Sequence, residues 1–83
     1  MAPLTLAPRR HANRSTETAL LAIGDAVRSA RIRAGLSQQD LALASGVGRT
    51  TVVKLENGQP SVSLGGAQRV LGALRLRLAA VAR

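Results

Sequence analysis

The most constraining feature of the sequence is the stretch Leu36–Gly58, LSQQDLALASGVGRTTVVKLENG, in which glycine separates short apolar segments. Ser37 and Asp40 have the Ser-x-x-acid spacing of a capping box, which predicts the start of a helix. The glycines of Gly46-Val47-Gly48 can adopt the left-handed conformation that closes a helix. These signals predict one short helix over residues 38–45.

A second short helix is predicted from Arg49 to about Glu56, with Val52 and Leu55 on its buried edge. Asn57-Gly58 ends this helix, and Pro60 prevents its continuation. Two short helices joined by a glycine-bearing turn have the spacing of a helix-turn-helix. In that motif the second helix lies in the major groove of duplex DNA.

Two further helices are predicted to flank this pair. Apolar residues at spacings of four, three and four follow Thr16 and indicate a helix from Thr16 to Ala34, which Gly35 ends. A fourth helix, capped by Ser63, runs from Leu64 to about Leu74. The predicted organisation is a disordered basic tail (residues 1–15), a helix-turn-helix domain (16–75) and a C-terminal segment (76–83).

The C-terminal segment changes its hydrophobic period. Leu76, Leu78 and Ala80 alternate with Arg75 and Arg77, and this period of two favours a short strand. A lone strand in a helical domain has no partner in its own chain, so it is predicted to pair with the same strand of a second subunit. The alternative is that the fourth helix continues to Val81, because Ala and Arg favour helices.

The sequence resembles the Cro/phage-repressor (XRE) family of helix-turn-helix proteins. The resemblance is carried by GLSQ at residues 35–38, DLA at 40–42, Gly46-Val47 and LENG at 55–58. The fourth helix and the alternating segment after it are similar to HipB-type antitoxins. The implied fold is all-α, a lambda-repressor-like domain of four to five helices with a short C-terminal strand that pairs across a homodimer. Leu74, Leu76, Leu78 and Ala80 are the expected dimerisation residues.

Candidate DNA-binding residues follow from helical geometry and from the resemblance. At about 100° per residue, Thr50, Val53 and Lys54 lie opposite the buried edge of the second short helix, and Arg49 projects from its start. The resemblance adds a contact from Gln38 to a phosphate or an outer base, and contacts from Asn57 and Gln59 to the DNA backbone.

The resemblance also implies an internal ion pair between Arg31 and Glu56, which would make Arg31 structural. Gly48 departs from the family pattern, because Ser or Thr usually caps the recognition helix at this position. Glycine caps slightly less well and has no side chain to contact DNA.

Charge and composition favour the same partner. The formal net charge of +8 predicts a polyanionic partner. There is no Phe, Trp or Tyr, which disfavours single-stranded nucleic acid because its recognition usually relies on aromatic stacking. No apolar run approaches the length of a membrane span.

No catalytic, metal or cofactor site can be assembled from one His and four acids, so the chain is not expected to be an enzyme. The expected partner is a palindromic operator in double-stranded DNA, and the expected location is the bacterial cytoplasm, at the nucleoid. The resemblance further implies autoregulation and a kinase-like toxin as protein partner. The alternatives are a stand-alone regulator and a protein-interaction module that uses the same fold.

Overall fold

Four α-helices form the part of the chain that the computed structural model describes, which is the backbone of residues 6–79 and the side chains of residues 17–79. They are α1 (Leu6–Arg33), α2 (Gln38–Ser45), α3 (Arg49–Glu56) and α4 (Leu64–Ala73). The bounds predicted for α2 and α3 are confirmed, as is the all-α helix-turn-helix fold class. None of the described helices is both long and apolar enough to cross a membrane.

The first helix begins ten residues before the predicted start at Thr16. Residues 6–15, which were expected to belong to the tail, are therefore helical. Pro8 is compatible with this because it is the third residue of α1, where a backbone N–H has no intrahelical acceptor. The residues that follow it include helix-favouring Ala, Arg and Leu, and no further Pro or Gly occurs before Gly24.

The core lies where all four helices meet. α1 contributes Val27, and α2 contributes the adjacent pair Leu41 and Ala42. The remaining buried apolar side chains come from α3 (Val52, Leu55) and α4 (Val70, Leu71). Such a small core makes the domain sensitive to any change in packing between its helices.

The four described helices all end in the same backbone arrangement, the Schellman motif. After α1, for example, the Gly35 N–H donates to the Ile32 carbonyl and the Leu36 N–H donates to the Arg31 carbonyl. The motif requires a left-handed residue, which is Gly35, Gly46 and Gly58 in the first three helices. At the end of α4 this position is held by Arg75, with φ 60°.

The left-handed backbone at Arg75 stops α4, so the alternative in which that helix continues to Val81 is wrong. Residues 76–79 have neither helical nor strand structure. Leu76 and Leu78 are half-buried against the core, whereas Arg77 is exposed. The alternating apolar and basic side chains of this segment therefore face the core and the solvent in turn. Strand pairing across a dimer stays a prediction, and Ala80 lies outside the described residues.

Candidate nucleic-acid interface

One face of α3 is fixed in the core and the opposite face is open. Val52 and Leu55 are buried, whereas Arg49 and Thr50 at the start of the helix are exposed. This division follows from the spacing of apolar residues along an eight-residue helix. Because α3 cannot rotate without disrupting the core, its open face keeps a fixed orientation.

The other predicted contact residues differ in exposure. Val53 and Lys54 are half-buried on α3. Asn57 and Gln59 are exposed immediately after it, and Gln38 is half-buried at the first turn of α2. The predicted contact residues thus lie on α2, on α3 and in the loop after α3.

The starts of α2 and α3 are capped differently. At α2 the capping box is complete, since the Asp40 N–H donates to Ser37 Oγ and the Ser37 N–H donates to Asp40 Oδ2, each at 3.0 Å. The hydrogen bonds from the Ser37 backbone and side chain hold the pKa of Asp40 below its usual range. At α3 the cap residue is Gly48, which makes no side-chain hydrogen bond to the helix. The first N–H groups of α3 consequently receive no side-chain cap.

A buried carboxylate fastens the end of α3 to α1. Glu56 is 3% exposed, and both of its carboxylate oxygens are bound by Arg31. Arg31 Nε donates to Glu56 Oε2 at 2.6 Å, and Arg31 Nη2 donates to Glu56 Oε1 at 3.1 Å. Arg31 Nη1 also donates to the Leu36 carbonyl at 3.0 Å, and Arg28 Nε lies 3.5 Å from Glu56 Oε1. The two residues that the resemblance paired are in bidentate contact.

These contacts determine the protonation state of Glu56. Burial acts to raise its pKa, but hydrogen bonds from Arg31 and Gln38, together with the charge of Arg31, outweigh burial. The pKa of Glu56 consequently lies below its ordinary value, and the hydrogen bond to Glu56 raises the pKa of Arg31. The pair is fully charged near neutral pH.

Gln38 belongs to the same network. Its Nε2 donates to Glu56 Oε1 at 3.2 Å. An ionised carboxylate only accepts hydrogen bonds, so it fixes which end of the amide faces inward. A DNA contact by Gln38 would therefore be made by a side chain that Glu56 already orients.

Sequence reasoning missed two residues at the junction of α1 and α3. Arg28 was not expected near Glu56, and Gly24 was not singled out. A Cβ atom at Gly24 would lie 2.6 Å from the Glu56 carbonyl oxygen and 2.7 Å from that of Leu55. An isolated glycine within a helical pattern was the available signal, because it often marks a close approach of another backbone.

Comparison with known proteins agrees with this geometry. Residues 27–81 match the family model described as Helix-turn-helix, which covers the last part of α1, all of α2 to α4 and the segment that follows. No curated protein matches the chain.

Proposed function

The chain belongs to the helix-turn-helix (XRE) family, a family of DNA-binding transcription regulators, and on that premise we propose that it is a sequence-specific repressor that binds an operator as a homodimer. The observation that carries the proposal is the open face of α3. This face presents exposed Thr50 and half-buried Lys54, with exposed Arg49 at the start of the helix, while Val52 and Leu55 hold the opposite side of the helix in place.

The side chains on this face suit the major groove. Arg49 can donate two hydrogen bonds to O6 and N7 of a guanine. Thr50 can donate to a base or place its methyl group on a thymine methyl, and Val53 can make a similar apolar contact. Lys54 can reach a base or a phosphate. These four residues are proposed to read the sequence.

Gln38, Asn57 and Gln59 are proposed to contact the DNA backbone. Along the chain they lie before and after the proposed reading residues. Contacts of this kind fix the register of a protein on duplex DNA without reading its sequence.

Dimerisation is proposed because one eight-residue recognition helix provides little contact area. Specific protein–DNA complexes usually bury at least about 1,000 Å² of protein surface. The proposed interface contains Leu74, Leu76, Leu78 and Ala80. Support comes from the apolar surface around Leu78, which lines a groove with Leu20 and Ile23 beside the 67% exposed Leu64. Two half-sites separated by about one turn of DNA are the expected operator geometry.

A role as an autoregulating antitoxin with a kinase-like toxin is the finer form of the proposal. It is supported by the similarity of α4 and the segment after it to HipB-type proteins. Co-expression with the products of adjacent genes tests it. A stable complex with a neighbouring kinase-like protein supports the antitoxin role, whereas the absence of such a complex leaves a stand-alone regulator.

Fluorescence anisotropy tests the repressor proposal. Labelled DNA from the region upstream of the gene is titrated with protein at several salt concentrations, in parallel with a scrambled duplex of the same length and composition. A preference of about 10³ or more for the native duplex is expected. If the protein binds both duplexes equally and this binding disappears as salt rises, the binding depends on charge alone and not on sequence. A reporter gene placed behind the native region is expected to be silenced by the protein.

A further inference from the structure

A second, polar surface adjoins the open face of α3. It is a groove of about 410 Å³ lined by residues of α3, α4, the turn before α3 and the loop between the two helices. We call it the basic groove. The polar residues that line it are Thr50, Thr51, Lys54, Ser61, Ser63 and Arg69.

The basic groove carries charge of one sign only. Lys54 on α3 and Arg69 on α4 line it together, and no carboxylate lines it among the described residues. The nearest acid along the chain, Glu56, is occupied by Arg31, and no acid follows Glu56 in the sequence. Two cations that line one groove with no carboxylate among the lining residues give the groove a positive potential, which attracts anions.

The hydroxyl groups of the groove are also able to bind an anion. Ser63 Oγ accepts the Gly66 N–H at 3.0 Å, so its own proton remains free to be donated. Ser61, in the loop between the helices, is exposed. Flexible cations and hydroxyl donors are the groups that proteins most often use to contact phosphate oxygens.

We infer that the basic groove holds one phosphate of the DNA backbone between Lys54 and Arg69. The inference rests on the proposed function, because the groove shares Thr50 and Lys54 with the face that is proposed to read the bases. It assigns Arg69, on α4 and outside the helix-turn-helix pair, to the DNA interface. Since the contact is to a phosphate, Arg69 is expected to add affinity without adding sequence preference.

The test compares Arg69→Gln with Arg33→Gln, which removes the same charge from an exposed arginine at the end of α1 that does not line the groove. Affinity for the native and scrambled duplexes is measured by anisotropy as a function of salt. R69Q is expected to weaken both by the same factor, roughly 3- to 10-fold at low salt, and to reduce the slope of log K against log salt by up to about 1. R33Q is expected to change affinity less than 2-fold.

A double-mutant cycle tests whether Lys54 and Arg69 hold the same phosphate. The combined variant K54Q/R69Q is expected to lose less affinity than the product of the two single losses, because contacts to one group are coupled. Independent effects that multiply would overturn the shared phosphate. Circular dichroism checks that all variants fold, and the Arg69 Nε–H NMR signal of the wild type is expected to shift on addition of duplex.

The outcomes separate this inference from the proposed function. Equal effects of R69Q and R33Q overturn the groove as a phosphate site, whether or not the wild type prefers its native duplex. Conversely, a wild type without sequence preference contradicts the repressor proposal. The salt slope of R69Q on any duplex still tests the groove in that case.

Discussion

Gly24 of α1 lies directly against the backbone carbonyl of Glu56 at the end of α3, at a distance that leaves no room for a side chain. Glu56, at this end of α3, also forms an ion pair with Arg31, which lies about two helical turns after Gly24 on α1. The close backbone contact at Gly24 and the buried charge pair at Arg31 thus hold α1 against the end of α3. The first two predictions test these two points separately.

Substitution of Gly24 by Ala is expected to destabilise the protein by about 1–3 kcal/mol, although Ala is the better helix former. The added Cβ would lie under 3 Å from two backbone carbonyl oxygens, which cannot move without displacing α3. Thermal unfolding followed by circular dichroism measures the change. Gly72→Ala on α4 is the matched control, because a Cβ there meets nothing within 4 Å and a rise of up to about 1 kcal/mol is expected. If both variants are stabilised, the close approach of α1 and α3 is not present in solution.

Glu56→Ala is expected to cost about 3–5 kcal/mol, because it removes one partner of a buried charge pair and leaves Arg31 without its acceptor. The side chains of Arg31 and Glu56 are 14% and 0% exposed, so water replaces little of the lost interaction. Glu56→Gln keeps an acceptor for Arg31 and is expected to fall between the wild type and E56A. An E56A melting temperature equal to that of the wild type would contradict the structural role of the pair.

The contribution of Glu56 to stability is expected to disappear in acid. Its pKa in the folded protein is below the unfolded value of about 4.3, so the unfolded chain binds more protons in this range. The stabilisation is therefore complete above the unfolded pKa and is lost as the pH falls through the folded pKa. Urea unfolding of the wild type and E56Q between pH 7 and pH 2 checks this, and the difference between their unfolding free energies is expected to shrink with acid. A constant difference would show that Glu56 titrates alike in both states.

Arg75→Gly is expected to raise stability by up to about 1 kcal/mol relative to Arg75→Gln, which removes the same charge. The reason is the left-handed backbone at position 75, which Gly adopts without the steric cost that any other residue pays there. Melting temperatures of the two variants give the comparison. No gain from R75G would mean that residue 75 leaves the left-handed region in solution.

Arg49→Ala is expected to lower the preference for the native over the scrambled duplex by about 5- to 150-fold, which corresponds to 1–3 kcal/mol for one bidentate base contact. Stability should not change, because Arg49 is exposed. Anisotropy titrations measure both duplexes, with Arg33→Ala on the exposed end of α1 as the control for lost charge. An equal loss on the native and scrambled duplexes would assign Arg49 to a phosphate instead of a base.

The sequence by itself determined the features that depend on neighbouring residues. The ends of α2 and α3 were predictable because capping boxes and left-handed glycines act through hydrogen bonds within one turn. The burial of Val52 and Leu55 was predictable because helical spacing fixes which residues share a face. The same local reasoning placed the start of α1 too late, because the prediction relied on an apolar stripe. The helix extends through earlier residues that have helix propensity but carry no such stripe.

Only the tertiary structure decided the contacts between residues far apart in the chain. The approach of Gly24 to Glu56 and the hydrogen bond from the Gln38 amide to that carboxylate each join different helices, and Lys54 and Arg69 line one groove from different helices. The distances in these contacts depend on how closely two helices pack, and close packing is set by many side chains at once. No local pattern in the sequence contains that information, and the proposed role of Arg69 likewise depends on α3 and α4 lying side by side.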